Sequence, residues 1–331
     1  MSKAERIPPG AAGLDLPSRP SIAVLVPCFN EEAAIAEVVA GFRAALPEAA
    51  IYIYDNNSTD RTAELAGAAG AIVRREGRQG KGNVVRRMFA DVDADVFVLV
   101  DGDATYDAAS ARALVGRLTE DRLDMVVAAR IDREEAAFRA GHRLGNRLFS
   151  AFVALVFGAT FTDILSGYRA FSRRFVKSFP VLSRGFEIEI ELTVHALELE
   201  LPVAEITTPY YARPQGSASK LNTWRDGFRI LATLVNLYRT ERPLAFFSAI
   251  GAALAAISVV LAIPIFATFL REGIVPRFPT AILSTGLMLL AFLFAIAGLI
   301  LDTVTKGRRE MKLIAYLAQP APGEETSRRR P

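Results

Sequence analysis

The triplet Asp101-Gly102-Asp103 follows directly on the apolar run Val96 to Val100. Two carboxylates an even number of residues apart can face the same side if the extended geometry continues. Like charges so placed repel unless a cation sits between them, and hard oxygen donors suit Mg²⁺ or Mn²⁺. A divalent ion with open positions would in turn hold a diphosphate. Two more polar segments follow apolar runs in the same way. Pro27-Cys28-Phe29-Asn30-Glu31-Glu32 comes after Ile22 to Val26, and Asp55-Asn56-Asn57-Ser58-Thr59-Asp60 comes after Ile51 to Tyr54. Asn30 or Ser58 taken singly reads as a helix cap or turn residue.

Arg213 and Lys220 stand at the two ends of Arg-Pro-Gln-Gly-Ser-Ala-Ser-Lys, a small-residue loop able to close over an anion; a solvated surface loop is the alternative. Asp163, followed by Ser166-Gly167-Tyr168-Arg169, fits a capped turn packed on a sheet. Gly80-Lys81-Gly82 lacks the Walker spacing of a phosphate-binding loop. His142 and His195 are the only histidines and lie far apart, and Cys28 is the only cysteine. A histidine-based metal site, a catalytic triad, a zinc or iron–sulfur cluster and an intramolecular disulfide are therefore not expected.

The elements that must position these residues follow from the hydrophobic pattern. Ile22 to Val26, Ile51 to Tyr54, Ala71 to Val73, Val96 to Val100 and Met125 to Ala128 are strand candidates. Glu31 to Leu46, Asp60 to Ala69, Gly82 to Asp91 and Ala108 to Leu118 have helical spacing between them. Such βα alternation predicts an α/β domain with a mostly parallel sheet, whose ligands bind outside the carboxyl ends of the strands. The three acidic segments fall on that edge.

Composition bounds the partners. A 331-residue chain at 51% hydrophobic and 23% charged suits about two folded domains, which excludes a disordered or collagen-like chain. Its net charge of +3 is the difference between 39 basic and 36 acidic residues, so no nucleic-acid partner is indicated. Leu244 to Leu270 is 27 residues without a charge and Phe278 to Leu301 another 24, each long enough for a bilayer. Only Arg271 to Arg277 separates them, so a transmembrane hairpin is expected. Arg239 and Arg242 before it, and Lys306, Arg308, Arg309 and Lys312 after it, put both flanks in the cytoplasm. Ala151 to Phe161 and Thr223 to Thr240 suit helices in the headgroup region, or helices buried against the domain. Met1 to Pro20 reads as a loose tail with no signal peptide.

In this order and spacing, Val-Pro-Cys-Phe-Asn-Glu-Glu, Tyr-Asp-Asn-Asn-Ser-Thr-Asp-Arg-Thr and Asp-Gly-Asp resemble glycosyltransferase family 2, with its Rossmann-like GT-A fold. Gly80-Lys81-Gly82, Asp163-Ile-Leu-Ser-Gly-Tyr-Arg-Ala-Phe171 and Phe186-Glu-Ile-Glu189 narrow the resemblance to the dolichyl-phosphate mannosyltransferase and polyprenyl-phosphate glycosyltransferase group. It covers about Ser21 to Leu221. It implies that Pro27, Phe29, Glu31, Asp55 and Asn56 hold the nucleoside, with Asn30, Ser58 and Lys81 completing the donor site. It also implies that Asp101, Gly102 and Asp103 hold metal and diphosphate, that Arg130 lies near the donor, and that Arg213 and Lys220 cover the phosphates. Asp101, Asp103, Arg213 and Lys220 are the expected catalytic set. Thr105 stands where many members have a metal-contacting Gln, and Asp55-Asn56 where others have two acids.

The organisation expected is a tail (1–20), a GT-A domain (21–222), a juxtamembrane amphipathic helix (223–242), a transmembrane hairpin (243–303, spans about 244–270 and 279–301) and a basic cytoplasmic tail (304–331). The expected enzyme is an integral membrane protein with its catalytic domain in the cytoplasm, at the plasma membrane if bacterial. It moves a hexose from a UDP- or GDP-sugar to undecaprenyl or dolichyl phosphate, with Mg²⁺ or Mn²⁺ as cofactor; homo-oligomerisation is left open. A polysaccharide synthase is the enzymatic alternative, although Trp224 is not in the Gln-x-x-Arg-Trp motif usual there. A non-catalytic nucleotide-sugar-binding scaffold at the membrane is the other.

Overall fold

Val, Ile, Leu and Phe fill the short apolar runs, and these become strands, buried on both faces at the centre of the sheet and exposed at its Ile72–Arg75 edge. They are β1 (Ile22–Cys28), β2 (Ala50–Asp55), β3 (Ile72–Arg75), β4 (Val96–Leu99) and β5 (Met125–Asp132). All five expected strands are present, and β5 runs on past Ala128. The computed structural model describes residues 20–132, 153–154, 158, 161–183, 185, 187–213, 232–233 and 235–321. Between the strands lie α1 (Ile35–Ala45), α2 (Thr62–Ala68), α3 (Lys81–Asp91) and α4 (Ala111–Glu120). Two strands beyond the expected five follow, β6 (Arg169–Ser172) and β7 (Val203–Tyr210), with α5 (Arg173–Ser178) and α6 (Ile188–Glu198) between them.

The sheet order is β3-β2-β1-β4-β6-β5-β7. β6 is antiparallel to both its neighbours, and the other pairings are parallel. Alternate side chains of each strand serve opposite cores. Leu25, Phe97 and Met125 pack with α3, α5 and α6, whereas Val24, Val98 and Val126 pack with α1 and α4. Each fully buried side chain such as Phe42 or Leu25 contributes roughly 1.5–3 kcal/mol. After β1 the chain winds to β2 and β3 on one side, and β4 returns to β1's other side. The carboxyl ends of β1 and β4 therefore flank the switch point, where an open α/β sheet leaves a crevice.

The C-terminal part is two long helices, α7 (Pro243–Glu272) and α8 (Phe278–Leu317), joined through Gly273 in the left-handed conformation at φ 71°. Both are long and apolar enough to cross a membrane. Their large side chains face outward, with Ile263, Phe266 and Phe292 each more than 60% exposed, so they are not core helices. Small residues seven apart line the seam between them: Gly251 and Ser258 on α7, and Ser284, Ala291 and Gly298 on α8. A Cβ on Gly251 would stand 2.9 Å from the Ala291 carbonyl oxygen, and Ser258 Oγ donates to the Ser284 carbonyl at 2.6 Å. Close backbone approach of this kind holds helices together where no hydrophobic drive exists. α8 continues as one helix through residues 304–317. Lys220 and most of the segments 151–161 and 223–231 lie outside the described residues.

Candidate active site

The ends of β1, β2 and β4 bring the three acidic segments to one edge, β1 pairing Cys28 with Asp55. Their loops are stitched together. Asn30, with φ 53°, donates its backbone N–H to Ser58 Oγ at 2.9 Å and accepts from the Thr59 N–H at 2.8 Å. The Glu31 N–H donates to Thr62 Oγ1, and Asp55 accepts from the Ser58 N–H. Asn56 clamps the next loop: its amide donates to the Glu76 and Arg78 carbonyls and its oxygen accepts from the Gly80 N–H. Pro27 and Phe29 are half-buried on this edge, and Asp55, Asn56 and Glu31 are buried.

β4 ends at Leu99, so Asp101 and Asp103 sit on a bend and not on a continued strand. Ala104 at φ 57° turns the chain, and the Thr105 N–H and hydroxyl both donate to Asp103 Oδ1, the hydroxyl at 2.6 Å. Thr105 thus orients the Asp103 carboxylate. On its other oxygen Asp103 meets Arg213 Nη2 at 2.8 Å, with its own side chain only 5% exposed. Gly102 between the carboxylates is required by contact. A Cβ there would be 2.7 Å from Cys28 Sγ, so β1 and β4 close tightly at the switch point.

Asp101 faces the other way. It accepts from Lys81 Nζ, which also donates to Glu189 Oε1 at 2.5 Å. Lys81 is the first residue of α3, after Gly80 at φ 126°, and Glu189 lies in the first turn of α6. Burial alone would pull the Lys81 ammonium down; Asp101 and Glu189 together overcome it and hold its pKa above the lysine range. Burial pushes the Glu189 carboxyl up, Lys81 draws it back, and Asp101 pushes it up again. One cation here serves two carboxylates. Gly167 packs on Asp101: a Cβ would lie 2.5 Å from its Oδ2, and the Gly167 N–H donates to the Tyr106 hydroxyl at 2.8 Å. A cleft of about 430 Å³ between Asp101, Tyr106, Asp107, Tyr211 and the Glu37–Ala45 face of α1 opens beside it.

Arg130 leaves β5 and makes a bidentate pair with Asp163, Nε to Oδ2 at 2.6 Å and Nη2 to Oδ1 at 2.8 Å, with its guanidinium over the Tyr210 ring at 5.3 Å. The Asp163 turn is held from behind by Arg169, which is fully buried and donates to the Ser166 and Ile164 carbonyls and to Thr193 Oγ1. Burial lowers the Arg169 pKa to about 10.

The structure thus gathers Asp101, Gly102, Asp103, Lys81 and Arg213 into one charged constellation, with Asn30, Ser58, Asp55 and Asn56 joining the loops beside it. Glu189, Asp163, Tyr106 and Gly167 are added by the structure. Glu189 and Asp163 lie in motifs visible in the sequence, each an acid next to apolar residues, which is the signal that a buried cation must answer it. Among the described residues no group of three or more His, Cys, Asp or Glu converges as a metal cage. Asp101 and Asp103 are hard oxygen donors of the kind that hold Mg²⁺, an ion bound through one or two carboxylates plus substrate phosphates, and Lys81 and Arg213 are their cation partners in this structure.

The family model described as Glycosyl transferase family 2 matches residues 23–179. Glycosyltransferase AglJ of Haloferax volcanii is 36% identical over 250 residues, 75% of this chain and 82% of that protein. The dolichyl-phosphate hexose transferase of the same organism is 28% identical over 221 residues, 67% of this chain and 95% of that protein. Among solved structures, glucosyl-3-phosphoglycerate synthase from Mycobacterium tuberculosis, crystallised with Mn²⁺, uridine diphosphate and phosphoglyceric acid, superposes with a TM-score of 0.55 at 23% identity. The match covers 66% of this chain and 78% of that one. The shared fold is GT-A.

Proposed function

The chain belongs to glycosyltransferase family 2, and on that premise we propose that it transfers a hexosyl group from a nucleoside diphosphate sugar to a polyprenyl phosphate at the cytoplasmic face of a membrane spanned by α7 and α8. The observation that carries this reading is the joining, in one chain, of a paired-carboxylate edge at a GT-A switch point to a long apolar hairpin with many of its large side chains facing outward. The name of the dolichyl-phosphate hexose transferase among the relatives supports the acceptor class.

Asp101 and Asp103 would hold Mg²⁺ or Mn²⁺, which when bound neutralises charge on the leaving diphosphate. Negative charge grows on the diphosphate as the glycosidic bond breaks, so Arg213, and Lys220 with it, stabilise the transition state more than the ground state. Thr105 keeps the Asp103 carboxylate aimed, and Lys81 holds Asp101 through an ion pair. The loops carrying Pro27, Phe29, Glu31, Asp55 and Asn56 form the nucleoside side of the site. A phosphate monoester with a second pKa near ~6 is already an anion at neutral pH, so the acceptor needs no general base. Family resemblance implies single displacement with inversion, an α-linked donor giving a β-linked lipid.

Incubating membranes containing the protein with radiolabelled UDP- and GDP-hexoses and polyprenyl phosphate tests the reading. Label should enter the lipid with one donor class, EDTA should abolish transfer, and polyprenol without its phosphate should be inert. Efficient glycosylation of free polyprenol, a trapped glycosyl-enzyme or retention of anomeric configuration would overturn it.

A further inference from the structure

α8 does not end where its apolar segment ends. From Asp302 to Leu317 it continues for roughly 24 Å at 1.5 Å per residue, and this stretch lies against the catalytic domain. Arg309 Nη2 meets Glu200 Oε1 at 2.9 Å, Lys312 Nζ meets Glu198 Oε2 at 2.5 Å, and the Tyr316 hydroxyl donates to Asp124 Oδ2 at 2.8 Å. Spaced three and four apart, these side chains share one face of the helix. The contact is built, not incidental. Glu198 is 4% and Lys312 14% exposed. Asp124 is fully buried and also accepts from the Ser172 hydroxyl and, through both oxygens, from Arg174, whose guanidinium lies 4.6 Å over the Tyr316 ring. Lower on the same helix, Arg308 pairs with Glu241 at 3.1 Å and Thr305 Oγ1 donates to the Thr240 carbonyl at 3.2 Å, tying α8 to the segment that enters α7.

The anchors on the domain have a common address. Asp124 precedes β5, Arg174 follows the antiparallel β6, Glu198 ends α6 and Glu200 lies just beyond it, so all lie at the amino-terminal edge of the parallel strands. That edge is opposite the carboxylates Asp101 and Asp103. No proline interrupts the chain between Thr280 and Leu317, so the usual cause of a sharp helix kink is missing. A domain joined to a membrane hairpin at one point can swivel; attachment through both 240–242 and α8 removes that pivot.

We propose that α8 is a rigid arm fixing the orientation and height of the catalytic domain over the bilayer, with Arg309, Lys312 and Tyr316 as positioning residues for a membrane-embedded acceptor. This rests on the proposed lipid-phosphate acceptor. The test uses the full chain in liposomes and compares Lys312→Glu, the charge swap Lys312→Glu with Glu198→Lys, and Tyr316→Phe. KM and kcat are measured with a long-chain polyprenyl phosphate in the bilayer and with a short, water-soluble prenyl phosphate, alongside nucleotide binding. Lys312→Glu is expected to raise KM for the bilayer acceptor about tenfold or more, because the effective concentration of a held acceptor falls when geometry loosens. The soluble acceptor and nucleotide affinity should stay within about twofold. The charge swap should restore the bilayer KM, and Tyr316→Phe should lie between Lys312→Glu and wild type. Equal loss with both acceptors, no change with either, or failure of the swap to rescue would overturn the proposal. A fluorophore on the exposed Glu120→Cys position with energy transfer to labelled headgroups gives a readout free of turnover. Wild type should show one narrow distance that Lys312→Glu broadens, and an unbroadened distance would also overturn it. Should wild type transfer to neither lipid, the proposed function fails and this distance still decides the arm.

Discussion

Lys81→Met would strand the Glu189 carboxylate, whose side chain is 8% exposed and is paired with the Lys81 ammonium. Removing one partner of a buried ion pair costs about 3–5 kcal/mol, because the remaining charge stays desolvated. The second carboxylate on Lys81, Asp101, is 31% exposed, so water takes up much of its loss and only the Glu189 side counts in full. At roughly 2–4 °C per kcal/mol for a domain of this size, the apparent Tm should fall by about 6–20 °C. Adding Glu189→Gln to Lys81→Met removes the stranded charge and should recover about 2–3 kcal/mol of it as coupling between the two sites. Acid should help as well. Burial already raises the Glu189 pKa, and losing Lys81 raises it further. A carboxyl raised in the folded state adds stability below its unfolded value and loses it as pH rises through the folded value. The Lys81→Met defect should therefore shrink towards pH 5 and widen towards pH 8. Thermal melts by circular dichroism in detergent, with the hairpin intact, measure all three quantities. A Tm within about 2 °C of wild type, or a double variant no better than Lys81→Met, would refute the charge-stranding argument.

Gly167→Ala places a Cβ 2.5 Å from Asp101 Oδ2; the carboxylate must move, and kcat should fall about 10²-fold while the melt barely changes. Arg213→Ala frees the Asp103 carboxylate and removes a cation from the phosphates, lowering kcat by about 10²-fold at saturating donor, as steady-state kinetics will show. His195, wedged between Phe175 and Phe179 with Ser178 on its Nε2, has its pKa pushed down to about 3, first by burial and then by Lys312. It folds neutral, so its stability contribution is complete above the unfolded pKa of 6.5 and drains away as pH falls, by about 2 kcal/mol at pH 5. His195→Gln should flatten the pH 5–7 stability curve, and an unchanged slope would disprove the assignment.

The sequence was most legible where the period is plain. The five Val/Ile-rich strands and four helices of the first half need only local pattern, and the acids after β1, β2 and β4 follow from them. β6 was hidden because its four residues are all buried and begin with Arg169, a charge that pattern reading assigns to the surface. β7 was hidden because Pro209 argues against a strand; it is tolerated since β7 is the outermost strand of the sheet order. Within the site, Asp101, Asp103 and Arg213 could be singled out by type and spacing. The roles of Glu189 and Asp163 could not, because their cations Lys81 and Arg130 lie 108 and 33 residues away and only the crossovers bring them together.

The close fit of Gly102 over Cys28 turns the chain's only thiol into a built-in probe of the crevice. Cys28 is 2% exposed and sits where β1 and β4 part. A thiol reagent can reach it only when that junction opens, so the labelling rate of the unaltered protein measures the free energy of opening at the switch point itself. If the proposed nucleotide-sugar donor bridges the two strand ends, it should slow that rate in proportion to its occupancy, which makes donor binding readable without following turnover and without introducing any cysteine.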